Sequence, residues 1–542
     1  MNHAIRRAFL TVGDRQVHVR AVGSGPPALF IHSSPTNGSF VVPDMLAQAD
    51  RYTCFAFDTP GFGLSDPLPL TEMTVADLAD ATAEAMAALG LPPVPVYGTH
   101  SGAAIALELG FRHPGRVTGL VLDGLPVFTA EELARFESIY FAPLIPDPLG
   151  GHLTATWTRF RDQTTWFPWY ARHHSAHNEI DLNDPEAIHR WTEMFYAAAP
   201  HYRTAYRAAI HYSDAGLTAA AGVTVPTVFT ATTTDMLHPH LERLPRRQGV
   251  EVVEIGRDGT AKHPLTARMF ARFGGGMEAP VLPAALVSSA RVRRQFTMDG
   301  LRPQLVRYAG DRAAPVTLLL HDAPGSGAIL EPRMAELAKD YFVVVPDLPG
   351  SGDSAGLPAE AEIADYAAAM WRLLDAVDIR TVAIEGRGFG ASLAVEMAAS
   401  QSDRTRSLAV DGLLLPEPAE RAALAARYAP PIVVEPDGAH WYRLWLRLRD
   451  SLVWWPWFDT RRAAYRRVAA DFDAARLHAW TVEVMKQRDT THHFVNAALR
   501  HDAGARLADI ACQAVRIAEP LSALGAAYGA KLDALIGSGR GN

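Results

Sequence analysis

Two short turns flanked by glycine contain the residues best suited to chemistry in this chain. Residues 98–103 read GTHSGA and residues 386–391 read GRGFGA, and each precedes an apolar helical stretch. Both resemble the tight strand-to-helix turn G-x-S-x-G, whose strained central residue is exposed as a nucleophile. The central position holds His100 in the first turn and Gly388 in the second, so the usual serine is replaced in both. The chemistry of the first turn therefore depends on an imidazole.

The first turn allows two registers. Small residues are needed two positions either side of the central residue, and Gly98 and Gly102 supply them around His100. A shifted register makes Ser101 the nucleophile, with a threonine and an alanine as its flanks. The second turn favours His100, because glycines occupy the same two flanking positions around Gly388. In this register Ser101 contributes a backbone N–H.

An imidazole at the centre of such a turn supports three functions. As a nucleophile, His100 attacks a carbonyl carbon and forms an acyl-imidazole that water resolves. As a general acid or base it moves a proton without a covalent intermediate, which suits direct attack by water or a cofactor-independent lyase or isomerase. In the third function the turn only lines the pocket of a ligand-binding pseudoenzyme.

The two turns belong to a long internal repeat. The segment DTPGFGLS at 58–65 recurs as DLPGSGDS at 347–354. His32 corresponds to His321 at an offset of 289 residues, and the two turns correspond at an offset of 288. A nearly constant offset over so long a span indicates the duplication of a whole domain.

Each copy alternates short apolar strands with amphipathic helices. This pattern predicts an α/β fold with a mostly parallel sheet covered by helices. The alternation stops in an aromatic-rich stretch, which predicts a helical lid at about 127–215 in the first copy and about 414–503 in the second. We divide the chain into domains at 1–274 and 291–542, joined by a linker at 275–290 rich in Gly, Pro and Ala.

Composition and charge narrow the range of partners. With 542 residues, 48% of them hydrophobic, the chain is long enough for two globular domains. Its formal charge of -8 disfavours nucleic acid and anionic membrane surfaces, which select basic patches. Two cysteines, Cys54 and Cys512, suggest neither a disulfide framework nor a cysteine metal site. We expect a cytoplasmic protein with a small-molecule substrate.

In combination these motifs resemble the α/β-hydrolase superfamily. The HSSP loop at 32–35, the DTPGFGLS loop and the first turn follow one another in that family's order, and the likeness covers 7–274 and most of 291–542. The resemblance implies two tandem α/β-hydrolase-like domains, each with a lid between its sixth and seventh strands. It also implies hydrolysis of a small, largely apolar carbonyl compound such as an ester, a lactone or a cleavable diketone, with no cofactor.

The resemblance assigns an oxyanion hole and a carboxylate. The hole would use the backbone N–H groups of Ser34 and Ser101. The side chains of Ser33 and Ser34 would either assist or only cap a turn. The carboxylate would be Asp235, which follows the apolar strand at 225–231.

A rival acid and a late histidine complete the implied site. Asp123 ends an earlier strand, but Asp411 matches it in the copy that lacks the central histidine, so we expect a structural role for Asp123. The family's histidine should follow the last strand, where His263 is the candidate. Either His263 reaches Asp235 and activates water, or Thr260 takes the usual position and His263 lies on the surface.

The second copy lacks the catalytic residue types. Gly388 occupies the turn, and the copy ends soon after 515–517 without an Asp or His in the required places. We interpret it as a pseudo-hydrolase that serves as a built-in second subunit for the first domain, and we leave a homo-oligomer open. Because the first copy kept all three titratable groups, we expect an enzyme.

Aromatic residues of the first lid are candidates for substrate binding. Trp157 and Trp166, together with His32 and Ser33, are predicted to line an apolar pocket. The alternative is that Trp166 holds the lid to the core, because the W-x-P-W pattern of 166–169 recurs at 454–457 in the second copy. We predict no metal at the histidines of 173–177, which lack a Cys, Asp or Glu partner pattern.

Overall fold

The computed structural model describes residues 3–136, 139–178, 180–466, 469–517 and 523–538. The chain forms two compact units. The first contains Met1–Ile145 and Ala155–Pro283, and the second contains Pro146–Thr154 and Ala284–Asn542. Within the described residues, no helix is long and apolar enough to cross a bilayer.

The sheet of the first unit has eight strands. They are β1 (Arg6–Val12), β2 (Arg15–Val22), β3 (Pro27–Ile31), β4 (Thr53–Phe57), β5 (Val94–Thr99), β6 (Val117–Asp123), β7 (Thr227–Thr232) and β8 (Val250–Ile255). Their spatial order is β1-β2-β4-β3-β5-β6-β7-β8. The β1–β2 and β2–β4 pairs are antiparallel, and the remaining neighbours are parallel. The predicted mostly parallel sheet is therefore confirmed.

The second unit repeats this topology with one strand fewer. Its strands are β9 (Ser289–Asp299), β10 (Arg302–Gly310), β11 (Val316–Leu320), β12 (Phe342–Pro346), β13 (Val382–Arg387), β14 (Thr405–Asp411) and β15 (Gln513–Arg516). The order β9-β10-β12-β11-β13-β14-β15 matches the first seven strands of the other sheet. Among the described residues, no strand corresponds to β8.

The central strands form because they are short apolar runs. Every residue of β3, β4 and β5 is buried, as is typical of parallel strands covered on both faces. Their carboxyl ends lie at one edge of the sheet, and the loops that follow them are the usual place for a site in this class of fold.

Helices cover the sheets and build the lids. Those of the first unit's chain segment are α1 (Val42–Leu46), α2 (Val75–Leu89), α3 (Ser101–Arg112), α4 (Ala130–Ala134), α5 (Gly151–Thr165), α6 (Pro185–Ala198), α7 (Tyr202–Ile210), α8 (Ser213–Gly222) and α9 (Lys262–Phe273). The later ones are α10 (Glu331–Leu337), α11 (Ile363–Ala376), α12 (Phe389–Ser400), α13 (Pro418–Arg427), α14 (Ala439–Ser451), α15 (Ala474–Met485), α16 (Thr491–Arg500), α17 (Ala503–Arg506) and α18 (Ala523–Ser538).

Local sequence explains how individual helices begin. The Thr74 side chain accepts the Asp77 N–H, and the Asp77 side chain accepts the Thr74 N–H, which forms a capping box before α2. Glycine 90 then ends this helix in a left-handed conformation. Residues next to α2 in sequence therefore determine both of its ends.

Insertions of helices stand where the strand–helix alternation stops. Helices α4 to α8 lie between β6 and β7, and α13 to α17 lie between β14 and β15.

Two details of the domain bounds differ from expectation. Strand β9 begins at Ser289, so the last two residues of the expected linker are part of a strand. Residues Pro146–Thr154, expected in the first lid, group with the second unit because their side chains pack there.

Candidate active site

The turn between β5 and α3 presents His100 in a strained conformation. His100 has φ 51° and ψ -117°, and Asp378 is the only other non-glycine residue with positive φ in the described part of the chain. The His100 N–H donates to the Asp123 carbonyl at 2.8 Å, which fixes the turn against the end of β6. Such backbone strain is typical of a functional position.

Close backbone packing explains the glycines on either side of His100. A Cβ on Gly102 would lie 2.6 Å from the His32 carbonyl oxygen, and a Cβ on Gly98 would lie 2.9 Å from the Ala103 nitrogen. Both distances are too short for a real side chain. The glycines therefore let the start of α3 approach the loop after β3, which brings His100 over the edge of the sheet.

His100 is hydrogen-bonded to the carboxylate that follows β7. His100 Nε2 lies 2.8 Å from Asp235 Oδ2, and the other Asp235 oxygen accepts the Leu237 N–H at 2.8 Å. Gly124 makes room for the ring, because a Cβ there would lie 2.6 Å from His100 Cδ2. The two residues expected to be catalytic thus meet directly, without an intervening histidine.

The pair shifts the pKa of both partners. Burial lowers the pKa of His100, but the charge and hydrogen bond of Asp235 more than offset this, so the pKa is raised above 6.5. Burial raises the pKa of Asp235, yet the His100 charge and hydrogen bond prevail and lower it to about 2. The His100 side chain is 37% exposed, so its remaining edge is open to solvent or substrate.

The Ser101 hydroxyl is hydrogen-bonded to one of the two expected oxyanion-hole donors. It is the first residue of α3, is 4% exposed, and its Oγ accepts the Ser34 N–H at 2.5 Å. The hydroxyl therefore lies where a substrate oxygen would meet the Ser34 N–H. The structure brings Ser34, Ser101 and His100 together and assigns the strained turn position to His100.

His263 lies away from the pair, contrary to the expected dyad with Asp235. Its Nε2 is 3.1 Å from Asp44 Oδ1 in α1, and its side chain is 45% exposed. The preceding residue, Lys262, turns inward instead, with Nζ 3.0 Å from Asp44 and 3.4 Å from Asp123. Both residues start α9, and one step along a helix rotates a side chain by about 100°.

Sequence reasoning missed a buried polar cluster beneath His100. The Tyr97 hydroxyl donates to Asp123 Oδ2 at 2.7 Å, and Lys262 Nζ lies 5.7 Å from the centre of the Tyr97 ring. Burial raises the pKa of Asp123, which the Lys262 charge only partly offsets. The Asp123 carboxylate therefore contacts Tyr97 and Lys262, and its main-chain carbonyl accepts the His100 N–H. The His100 imidazole is hydrogen-bonded to Asp235 instead. The available signal in the sequence was the polar side chain of Tyr97 within the buried strand β5 and that of Lys262 next to His263.

His32 and Ser33 are structural, which corrects the expectation that they bind substrate. His32 is 1% exposed, and its Nδ1 donates to the Ser33 carbonyl at 2.9 Å while its Nε2 accepts the Thr59 N–H at 3.0 Å. The Ser33 carbonyl also accepts the Thr36 hydroxyl at 2.5 Å. Both residues are buried in the loop after β3, and both ring nitrogens of His32 are hydrogen-bonded.

The two lid tryptophans also differ from the expected pocket lining. Trp157 is 1% exposed within the packing of the lid, so its ring is closed to a ligand in this structure. Trp166 is half-buried and bridges to His177, whose ring lies 6.3 Å from its own. His173, His174 and His177 are exposed. For Trp166, packing between lid segments agrees with the recurrence of the W-x-P-W pattern at 454–457.

The second unit contains the same turn without a side chain. Gly388 has φ 56° and ψ -125°, close to the values of His100, and its N–H donates to the Asp411 carbonyl at 2.9 Å. The backbone of the turn is therefore preserved in both copies, and only the first carries an imidazole there.

This turn, the strand order and the inserted lids agree with one family. A family model described as alpha/beta hydrolase fold matches residues 26–240 and 315–434, more than half of the chain. The chain belongs to the α/β-hydrolase fold family. Because the two matched regions lie one in each copy, it is a tandem α/β-hydrolase fold protein.

Curated relatives align with about a quarter of the chain. The chain is 31% identical over 139 residues to a proline iminopeptidase of Arabidopsis thaliana, covering 26% of this chain and 34% of that protein. It is 32% identical over 138 residues to the 2-(acetamidomethylene)succinate hydrolase of Mesorhizobium japonicum, covering 25% and 49%. Haloalkane dehalogenase 2 of Mycobacterium tuberculosis is 32% identical over 120 residues, covering 22% and 42%. The chain thus spans less than half of the length of these relatives.

Solved α/β-hydrolase fold structures match about half of the chain. Potato (Solanum tuberosum) epoxide hydrolase I covers 49% of this chain and 98% of its own, with 18% identity and a TM-score of 0.38. The E-2-(acetamidomethylene)succinate hydrolase covers 50% and 99%, with 22% identity and a TM-score of 0.37.

Proposed function

We propose that this protein is a hydrolase in which His100 and Asp235 activate water against a small carbonyl compound, an ester or a lactone. The observation that carries the proposal is the 2.8 Å hydrogen bond between His100 Nε2 and Asp235 Oδ2 at the strained turn. A carboxylate that orients an imidazole and stabilises its protonated form is the arrangement used by general bases.

The geometry supports proton transfer rather than nucleophilic attack by His100. Its Nε2 is engaged by Asp235, so the reactive nitrogen is Nδ1, which has no hydrogen-bond partner among the described residues. Nδ1 adjoins the ring carbon that bears Cβ, so an acyl group there would crowd the main chain of the turn. A proton is small enough to pass without this obstacle. The His100 dyad therefore favours the general-base route.

The reaction balances with water as the only co-reactant. His100 Nδ1 takes a proton from water as its oxygen bonds to the carbonyl carbon, and the π electrons move to the carbonyl oxygen. Collapse of this intermediate breaks the bond to the alcohol oxygen, which receives the proton from Nδ1. An acid and an alcohol are formed, and Asp235 stays ionised, as its low pKa of about 2 requires.

Backbone donors support the oxyanion. The Ser34 N–H, now bonded to Ser101 Oγ, becomes available to a substrate oxygen when the Ser101 side chain rotates. The Ser101 N–H at the start of α3 is the second donor, and the helix dipole favours negative charge there. Ser101 then serves as a gate for the hole.

The curated relatives support hydrolysis. They are a peptidase, a hydrolase and a dehalogenase, and a methyl ester esterase of a Shewanella strain is 28% identical over 152 residues. The second copy, with Gly388 at the turn, is proposed to be catalytically silent.

Turnover of aryl esters and lactones by site variants tests the function. His100→Ala and Asp235→Asn are each expected to lower kcat/KM by about 10²–10⁴-fold, the range typical of a lost general base. Ser101→Ala is expected to retain turnover, because its hydroxyl is not the nucleophile. The matched control is His113→Ala, which removes a histidine held 2.6 Å from Asp80 outside the site.

Four results would contradict this assignment. Full turnover by His100→Ala would exclude the imidazole, and loss of turnover in Ser101→Ala would restore the shifted register. An acyl adduct on His100, seen by intact-protein mass spectrometry after brief exposure to an activated ester, would show covalent catalysis. If no compound is hydrolysed while ligands still raise the unfolding temperature, the protein binds without catalysis.

A further inference from the structure

The oxyanion hole of the second unit is already occupied by a carboxylate of the chain. Asp322 Oδ1 accepts the Phe389 N–H at 2.8 Å and the Ala323 N–H at 2.8 Å. Phe389 is the first residue of α12 and directly follows Gly388 at the turn. One oxygen of Asp322 therefore receives two convergent backbone donors.

These two donors correspond to the proposed oxyanion hole of the first unit. His321 and His32 are equivalent, so Asp322 and Ala323 stand where the first copy has Ser33 and Ser34. Phe389 likewise stands where the first copy has Ser101. In the first unit one of these donors bonds a neutral hydroxyl, whereas in the second both bond the same carboxylate oxygen.

The carboxylate and a side chain at the turn exclude each other. A Cβ on Gly388 would overlap the carboxyl carbon and both oxygens of Asp322. His100 shows that a side chain can adopt this backbone conformation, so glycine is needed at 388 to accommodate Asp322. The Asp322 carboxylate can therefore occupy this position only because residue 388 has no side chain.

A cation near the site matches the charge of the occupant. The Phe389 ring packs against Tyr428 at a centroid distance of 5.2 Å, and Arg466 interacts electrostatically with both Tyr428 and Asp322. Arg466 Nη1 donates to the Ser451 carbonyl at 2.7 Å. Its buried Nε has no hydrogen-bond partner among the described residues. Burial raises the pKa of Asp322 to about 6, although the Phe389 and Ala323 N–H groups lower it; the positive charge of Arg466 also lowers it, but by less than the nearby Asp411 raises it.

We propose that the turn of the second unit is a carboxylate-binding site that the protein fills with its own Asp322. Two backbone N–H groups that converge on one oxygen at the start of a 12-residue helix are the donors that a monocarboxylate anion needs. Asp322 is part-buried, so the site reaches the surface. Removing the Asp322 side chain should open it to a free monocarboxylate such as acetate.

The experiment is a test of chemical rescue in the full-length protein. In Asp322→Ala, 100 mM sodium acetate at pH 7 is expected to raise the unfolding temperature of the second unit by about 2–4 °C relative to equal sodium chloride. Hydrogen exchange of the Phe389 and Ala323 amides should quicken in this variant and slow again with acetate. The wild type should show neither change, because Asp322 occupies the site.

Matched variants separate the site from general carboxylate effects. Asp340→Ala removes an exposed carboxylate of the same unit and should not respond to acetate. Asp322→Ser introduces the first copy's residue and should respond like Asp322→Ala. If either variant folds only when acetate is present, the same site is indicated, and failure of acetate to rescue folding contradicts it.

Two outcomes would overturn the proposal. One is an acetate response that is absent from both Asp322 variants or equal in all proteins. The other is equal protection of the Phe389 amide by neutral acetamide, which would show a carbonyl site without selection for charge. Both outcomes are independent of ester turnover by the first unit, so this proposal and the proposed hydrolase can fail separately.

Discussion

The pairing of His100 with Asp235 sets the pH dependence expected at the level of single residues. The pKa of His100 lies above 6.5, because the charge and hydrogen bond of Asp235 outweigh the effect of burial. A general base works in its neutral form, so kcat/KM should rise with pH through that pKa. Asp235→Asn should move the inflection to lower pH, in addition to lowering the rate.

The measurement is the pH profile of kcat/KM, supported by NMR titration of the His100 ring. Asp80→Asn, which removes the partner of His113, is the control and should leave the inflection in place. An unchanged inflection in Asp235→Asn would contradict the assigned pair. Because the pKa of His100 is raised on folding, its contribution to stability is complete below pH 6.5 and is lost as pH rises through the folded value.

Single positions also show where sequence reasoning succeeded and where it could not. The glycines at 98 and 102 identified His100 as the central residue of the turn, because the backbone packs too closely for a Cβ at either glycine. The histidine after β8 was harder to place. His263 and Lys262 are adjacent, and only the phase of α9 decides that Lys262 reaches both Asp44 and Asp123, whereas the His263 side chain pairs with Asp44. Helical phase depends on where the preceding turn ends, which residue types alone do not specify.

Among the elements, the β13–α12 turn carries a prediction about stability. Gly388→Ala should destabilise the second unit strongly, because its Cβ would overlap Asp322. In an Asp322→Ala background the same change should cost less, with a coupling free energy of about 1–3 kcal/mol. Gly300→Ala is the matched control, since Gly300 has φ 63° and open space around its Cβ.

Urea unfolding of the four proteins of this cycle measures the coupling. The Gly300→Ala change should cost about 1 kcal/mol from backbone strain alone, and equally in both backgrounds. Additive effects of Gly388→Ala and Asp322→Ala would show that Asp322 does not occupy the turn.

At the scale of the whole molecule, one segment belongs to a different unit from the residues on either side of it in the sequence. Residues Pro146–Thr154 belong to the second unit. His152 Nε2 lies 3.1 Å from His478 Nδ1, and its ring packs 5.2 Å from that of Trp445, which is 0% exposed. Trp445→Ala should loosen this segment, and limited proteolysis within 146–154 should become roughly tenfold faster for each ~1.4 kcal/mol of local packing lost.

Trp371→Ala is the control for overall loss of stability. Trp371 is 2% exposed on α11 in the same unit, so its removal also leaves a large cavity. Mass spectrometry of the fragments should show preferential cleavage at 146–154 only in Trp445→Ala. Equal cleavage of both variants there would contradict the assigned packing.

The sequence by itself determined the duplication, the fold class and the strained turn, because these depend on local patterns. Apolar runs, capping residues and glycine spacing act over a few neighbours and can be read in order along the chain. Only the tertiary structure decided which carboxylate meets which titratable group. Asp235 reaches His100 across 135 residues, and Asp322 reaches Phe389 across 67. Such contacts arise when the sheet brings strand ends together, so their partners depend on strand order and helix phase rather than on residue type.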